Sequence, residues 1–296
     1  LVLEEGSAPG ELKSVFSNIE NNQAPWQYSP EDRLNWARDL EFEVPVMADL
    51  FAAGKKPKYL LWIGCAGAYD DRYKKVARAL VKILNHLNID YAVLGKEETC
   101  TGDPARRAGN EMLFQMQALQ VIDTLKKYEV SDIITICPHC FNIIRNEYPD
   151  LDGHFEVINY LQLLNLFTKE GKLKIGTEAF MGLSVTYHDP CYLGRHSKVF
   201  DAPREILKSL PGVEFIEMER NSEESMCCGG GGGGLWMEKA KGERLSDLRI
   251  EEAMGTGATV LATACPYCIT MFEDSKRTLN VDEQIQIRDV TELVLE

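Results

Sequence analysis

Nine cysteines fall into two sets whose spacing is the first chemical signal in this 296-residue chain. One set holds five: Cys191, the adjacent pair Cys227 and Cys228, then Cys265 and Cys268 in a Cys-Pro-Tyr-Cys motif. The other holds four: Cys65, Cys100, and Cys137 with Cys140 in Cys-Pro-His-Cys. The sets keep register, with separations of 126 (Cys65 to Cys191), 127 (Cys100 to Cys227) and 128 residues (Cys137 to Cys265 and Cys140 to Cys268). Near-constant separation through four landmarks indicates an internal duplication. Where the second set has Cys228, the first has Thr101. The Cys227-Cys228 pair opens a run of six glycines, Gly229 to Gly234. Such a run costs backbone entropy. It makes sense where backbone must wrap closely around a bulky anionic centre and offer it N–H groups. A flexible linker is the alternative use of this composition.

Gathered thiolates bind soft metals or iron–sulfur clusters. Zinc takes four ligands, so five cysteines exceed one zinc, and an iron–sulfur centre is the leading reading of the second set. Zinc and a thiol/disulfide relay are its alternatives. Four cysteines suit a cubane 4Fe–4S cluster, a zinc ion or an empty vestigial site. A lone CxxC opening a helix could also be a redox pair; two of them in register with other cysteines favour clusters. His139 sits inside one CxxC where Tyr267 stands in the other, so it reads as a neighbour of the ligands rather than a ligand. Thr101 and Asp103 adjoin Cys100 in the same way. His188 and Asp189 precede Cys191, either as a turn fixed by Asp189-Pro190 or as a proton-donating pair. Arg106, Arg107 and Arg195 follow cysteines and could offset thiolate charge or be ordinary solvated arginines. No residue is assigned as catalytic.

The elements that must position these cysteines alternate. Apolar runs at Tyr59–Ile63, Tyr91–Leu94, Ile133–Ile136 and Glu156–Ile158 read as strands, separated by helices over Arg72–Leu87 and Asn110–Tyr128 and closed by a helix over Leu161–Phe167. The second half repeats the order with strands at Leu183–Tyr187, Val213–Ile216, Thr259–Ala262 and Ile285–Ile287 and helices over Pro203–Leu210 and Leu235–Met254. Both CxxC motifs open helices, Phe141–Tyr148 and Ile269–Leu279. Strands alternating with helices predict an α/β fold with mainly parallel sheets, here as two tandem related domains with the cysteines on strand-end loops. The expected division is a helical lead-in segment (1–56, with a helix begun at Ser29-Pro30), a first cysteine-rich domain (57–170) and a second (171–296). A net charge of −14 argues against nucleic acid and against a polybasic membrane surface. No apolar stretch approaches the roughly 20 residues that span a bilayer, and no secretory signal is visible. An odd cysteine count without such a signal points to a reducing compartment and to metal or redox chemistry.

The pattern Cys–x35–Cys-Cys-Gly–x35–Cys-Pro-x-Cys resembles the cysteine-rich CCG domain, duplicated as in the cysteine-rich subunit of heterodisulfide reductase. The resemblance covers residues ~57–296. It implies a noncubane 4Fe–4S cluster on Cys191, Cys227, Cys228, Cys265 and Cys268. Thr101 departs from the pattern, which leaves a four-cysteine 4Fe–4S site at Cys65, Cys100, Cys137 and Cys140 and counts against two-cluster disulfide reduction. More narrowly, Trp62-Ile-Gly-Cys65-Ala-Gly, the stretch from Cys100 through Arg107 to Glu111, and Cys137-Pro-His-Cys-Phe-Asn142 are similar to one branch. That branch is the iron–sulfur partner of electron transfer flavoprotein, which passes electrons to (mena)quinone. The resemblance implies electron transfer flavoprotein and a quinone as partners. It also implies a cytoplasmic location at the membrane face, reached through an upstream ferredoxin-like and membrane part that fits a chain starting at Leu1. The competing expectations are a heterodisulfide-type thiol/disulfide reductase and a zinc-stabilised scaffold without redox chemistry.

Overall fold

The structure, a computed structural model, describes residues 9–173, 182–237, 239 and 244–295. It divides into two units: one takes in the described residues up to Asn159 together with Gly231–Met237, the other Tyr160–Gly230 and the described residues after Met237.

In the first unit, α1 (Gly10–Asn22), a 3-10 helix (Pro30–Ala37) and α2 (Met47–Ala52) precede the sheet. Strand β1 (Tyr59–Trp62) leads into α3 (Gly64–Tyr69) and α4 (Asp71–His86); β2 (Tyr91–Ala92) leads into α5 (Asp103–Arg107) and α6 (Glu111–Lys127). Strand β3 (Asp132–Thr135) leads into α7 (Pro138–Asn142), a π-helical turn (Ile143–Glu147) and β4 (Glu156–Asn159). The order is β2-β1-β3-β4 and every pairing is parallel. Parallel neighbours need crossover helices, and strands covered on both faces read as continuous apolar runs. Leu60, Leu61, Trp62, Ile133 and Ile134 are accordingly buried. Helix α4 shows how sequence fixes a crossover: Asp70 caps it by accepting from the Tyr73 amide at 2.8 Å. Its buried stripe of Val76, Ala77, Leu80, Val81 and Leu84 packs inward.

The second unit repeats the plan. It contains α8 (Tyr160–Lys169), β5 (Leu183–Tyr187), a π-helical turn (Tyr192–His196), α9 (Asp201–Ser209) and β6 (Val213–Phe215). Then come α10 (Leu245–Gly255), β7 (Val260–Thr263), α11 (Pro266–Leu279), β8 (Gln286–Asp289) and α12 (Val290–Leu295). Its strand order, β6-β5-β7-β8, is again all parallel. The expected α/β architecture of two related parallel-sheet units is the one observed.

Several elements differ from expectation for local reasons. The helix begun at Pro30 is a 3-10 helix that ends at Ala37, and Arg33 and Trp36 are its buried residues. An i, i+3 pair eclipses on one face of a 3-10 turn. Strand β2 stops at Ala92 because Val93 turns to pair with Val46 of the lead-in segment. The helix expected from Leu235 begins only at Leu245: Gly234–Trp236 is a 3-10 turn, and residues 238 and 240–243 of that expected helix lie outside the described residues. The CxxC helices begin at Pro138 and Pro266, directly after Cys137 and Cys265, because proline is suited to a first helical position. The first of them gives way to the π-helical turn at Ile143.

Candidate metal centres

In each unit the cysteines sit on loops and helix starts at the carboxyl ends of the strands, the edge where open α/β sheets build their sites. In the first unit Cys65 lies on α3 just past β1, Cys100 precedes α5, and Cys137 and Cys140 bracket the start of α7. Cys100, Cys137 and Cys140 are buried and Cys65 is half-buried. All four interact as one group: Cys65 with Cys100, Cys137 with Cys140, and the two pairs through charge. The Gly102 amide donates to Cys100 Sγ at 3.4 Å. The Thr101 hydroxyl faces Cys140 Sγ at 3.9 Å, and the Tyr148 hydroxyl donates to the Thr101 carbonyl at 3.1 Å.

Two charged residues, Arg33 and Glu98, complete this shell. Arg33 Nη2 donates to Cys65 Sγ at 3.5 Å and to the Gln23 carbonyl at 3.0 Å, while Nη1 donates to Glu98 Oε1 at 3.0 Å. Glu98 in turn accepts from the amides of Ile63 (3.0 Å) and Gly64 (2.7 Å), the turn that delivers Cys65. Gln23 O also accepts from the Cys100 amide at 2.8 Å. The Cys65 thiol is drawn down to about 6, first by the hydrogen bond with Cys100 and then by the Arg33 charge, against burial. Cys100 is pushed well up by that same bond and by burial, and Cys140 by its bond with Cys137 and by burial.

In the second unit Cys228, Cys265 and Cys268 are buried, and Cys191 and Cys227 are half-buried. Cys228 Sγ and Cys268 Sγ stand 3.3 Å apart, and the Gly229 amide donates to Cys227 Sγ at 3.3 Å. Cys191 interacts with Cys227 directly and with Cys228 and Cys265 through charge, so all five converge. His188 Nε2 lies 3.4 Å from Cys268 Sγ, and one donor atom each from His188, Cys228 and Cys268 falls within 4.8 Å of the others. Arg249 Nε donates to His188 Nδ1 at 3.1 Å. A guanidinium only donates, so Nδ1 accepts and the proton of the neutral ring is on Nε2, toward the sulfur. Burial first, and then the Arg249 charge, hold His188 well below its ordinary pKa. Cys227 is drawn far down by hydrogen bonds with Cys191 and Cys228, whereas Cys191 is pushed up by its bond with Cys227 and by burial.

Thiols packed this closely and this deeply cannot all ionise by themselves, since each thiolate raises the pKa of the next. A cationic core removes that conflict, because coordinating thiols are deprotonated outright. Both donor sets therefore fit an iron–sulfur cluster or a soft metal.

The remaining candidate residues have other partners. His139 is buried with Nδ1 2.8 Å from Asp103 Oδ2. Burial would raise Asp103, but His139 and then Arg107 hold it below its ordinary value. Arg106 and Arg107 both pair with Glu147, and Arg107 also with Asp103. Asp189 accepts both ends of the Arg204 fork, at 2.7 and 2.8 Å, and the Ser222 amide at 2.8 Å, so it anchors the loop leading to Cys227. Arg195 is exposed. Sequence reasoning missed Arg33, Glu98 and Arg249. Glu98 carried a weak signal, an acidic residue two before a cysteine. Arg249 carried another, a charged residue beside Ile250 on the buried side of α10.

Comparison with known proteins finds the same duplication. The model of the CCG cysteine-rich domain matches residues 59–145 and again 185–273. The chain is 40% identical over 295 residues to a probable iron-sulfur-binding oxidoreductase, FadF, of Bacillus subtilis, covering 99% of this chain and 42% of that protein. It is 39% identical over 302 residues to EtfAB:quinone oxidoreductase of Syntrophomonas wolfei, with coverage of 99% and 42%. It is 32% identical over 306 residues to a subunit of dihydromethanophenazine:CoB–CoM heterodisulfide reductase of Methanosarcina mazei, with coverage of 100% and 70%. The chain thus spans 42% of the length of the first two of these relatives. With the domain matched in both halves, each around one cysteine set, the chain belongs to the CCG cysteine-rich domain family.

Proposed function

We propose that this chain is an iron–sulfur electron-transfer module of a larger oxidoreductase, built as two cysteine-rich domains (57–170 and 171–296) behind a lead-in segment. The observation that carries the reading is the convergence of the chain's nine cysteines into two buried or half-buried sets at equivalent sheet edges. When bound, an iron–sulfur cluster supplies one-electron transfer. The chain's own residues hold it and set its surroundings: thiolates from four or five cysteines, the Gly102 and Gly229 amides on sulfur, Arg33 beside Cys65 and the His188 Nε2–H toward Cys268. The five-cysteine set is the noncubane 4Fe–4S site and the four-cysteine set a cubane relay. Electron transfer flavoprotein is the donor and a (mena)quinone the acceptor, a reading supported by the relative named EtfAB:quinone oxidoreductase. Among the described residues no helix is long and apolar enough to cross a membrane, so reaching a lipophilic quinone falls to another part of the larger protein or to a partner subunit at the cytoplasmic membrane face. The relative named as part of a heterodisulfide reductase supports a second reading, disulfide reduction at the five-cysteine site.

Anaerobically purified protein tests both. A brown protein containing iron and sulfide, bleached by reduced electron transfer flavoprotein and recoloured by a quinone analogue, is the expected result. Recolouring only by a disulfide transfers the function to the second reading. A colourless protein containing zinc alone overturns both.

A further inference from the structure

The family match begins at residue 59, yet part of the first centre's surroundings comes from before it. Helix α1 is anchored in the first unit by Leu12, Val15, Phe16 and Ile19. The residue that caps its carboxyl end, Gln23, turns into the left-handed region at φ 56°. The Gln23 carbonyl thereby receives both the Cys100 amide and Arg33 Nη2. Arg33 rides on the following 3-10 helix, its side chain 1% exposed, with its guanidinium 5.3 Å from the centre of the Tyr69 ring. One fork thus ties together the lead-in segment, the carboxylate that fixes the Ile63-Gly64 turn, and the sulfur of Cys65. A guanidinium cannot be deprotonated in a protein, so this cation stands beside the sulfur in every redox state.

We propose that Arg33 is a positioning residue of the first centre, a fixed cation from outside the cysteine-rich domain that offsets the charge at Cys65 and raises that centre's reduction potential. The inference rests on the iron–sulfur reading of the first site. A buried positive charge beside a cluster favours the reduced, more negative state, as do N–H···S bonds to its sulfurs. Among the arginines that sequence alone set near the cysteines, Arg106 and Arg107 pair with Glu147 and Asp103, and Arg195 is exposed. Arg33 is a guanidinium with a described hydrogen bond to a cysteine sulfur.

The test is an EPR-monitored redox titration of anaerobic holoprotein carrying wild-type Arg33, Arg33→Gln or Arg33→Lys, with the second centre's signal as internal control. At a fixed poise, Arg33→Gln is expected to lower the reduced-to-oxidised ratio of the first centre about tenfold, about 59 mV for a one-electron couple. Arg33→Lys, which keeps a cation but loses the fork, shifts it by less than half of that on a logarithmic scale, and the second centre does not move. A Gln variant at the wild-type ratio, or Gln and Lys variants that shift alike, overturns the proposal. If Arg33→Gln assembles no first centre, the Lys variant decides. A first centre near wild-type potential supports the role of charge, and loss in both variants reduces Arg33 to a structural part and overturns it. A wild-type protein with the second centre's signal but no first-centre signal overturns the iron–sulfur reading of the first site and this inference with it.

Discussion

Thr101 and Cys228 occupy equivalent loop positions beside two sheets that share strand order. Thr101 points its hydroxyl at Cys140, and Cys228 packs its sulfur against Cys268, the residue equivalent to Cys140. The glycines that follow, Gly102 and Gly229, have φ of 88° and 84° and each donates its amide to the cysteine sulfur two residues back. Backbone and amide–sulfur bonds therefore survive the duplication, while the electrostatics around them diverge. The position of Glu98 in the first unit is taken by Ser225 in the second. The first unit sets Arg33 against Glu98 and Cys65; the second sets Arg249 against Ser225 and His188, whose ring faces Cys268. One scaffold can thus present a four-thiolate site beside a fixed cation and a five-thiolate site beside a neutral imidazole.

The comparison breaks most decisively at Cys228. Cys228→Ser removes the thiolate that distinguishes the units, and the whole of the second centre's EPR signal should disappear or convert while the first persists. An unchanged iron content and spectrum would show that Cys228 is no ligand. Thr101→Cys is the reciprocal change. It should carry the first centre's spectrum toward that of the second, and a spectrum identical to wild type would contradict the difference drawn at this position. A smaller effect separates the paired glycines. Alanine is strained at positive φ in both units, but in the first its Cβ also meets the Phe114 ring at 2.8 Å, whereas in the second it meets Leu245 Cβ at an ordinary 3.5 Å. Chemical denaturation should give a loss of about 2–4 kcal/mol for Gly102→Ala, strain plus overpacking. Gly229→Ala should lose about 1–2 kcal/mol, the cost of the left-handed conformation alone. Equal losses would mean that Phe114 gives way freely.

A pH-dependent effect lies at the ends of β4 and β8, where Asn159 pairs in register with Thr135 and Asp289 with Thr263. Burial pushes Asp289 from 3.8 up to about 7, while Thr291 and Tyr160 bond its carboxyl group. Between these values the folded protein keeps a proton that the unfolded chain gives up, so stability falls as pH rises from about 4 to about 7 and then levels off. The fall should approach about 1 kcal/mol per pH unit at its steepest. Asp289→Asn, which copies the residue of the first unit, should reduce it in urea melts taken across that range, leaving the part due to Glu98, which burial also raises to about 7. An unaltered slope would place the pH dependence elsewhere.

Most of this architecture was legible because parallel strands buried on both faces are continuous apolar runs, as at Leu60–Trp62 and Ile133–Ile134, and because the cysteine register exposed the repeat. Helix α1 was expected only in outline, within a helical lead-in segment, although its stripe of Leu12, Val15, Phe16 and Ile19 is regular: the interleaved Asn18, Asn21 and Asn22 are weak helix formers. The role of Arg33 was not legible. A charged residue in the polar run Pro30-Glu-Asp-Arg33 looks solvated, and what buries it is a carboxylate 65 residues away. Strand β2 was overextended for the same kind of reason, since Val93 finds its partner, Val46, across the fold.

The central claim is that the two units hold different iron–sulfur centres. Mössbauer spectroscopy of anaerobically purified, iron-57-labelled protein, with iron, sulfide and zinc measured on the same sample, tests it most directly. The account predicts two resolved sets of iron sites, one of them abolished in Cys228→Ser and the other retained. A single uniform set lost in equal parts on that substitution, or zinc in place of iron, would contradict it.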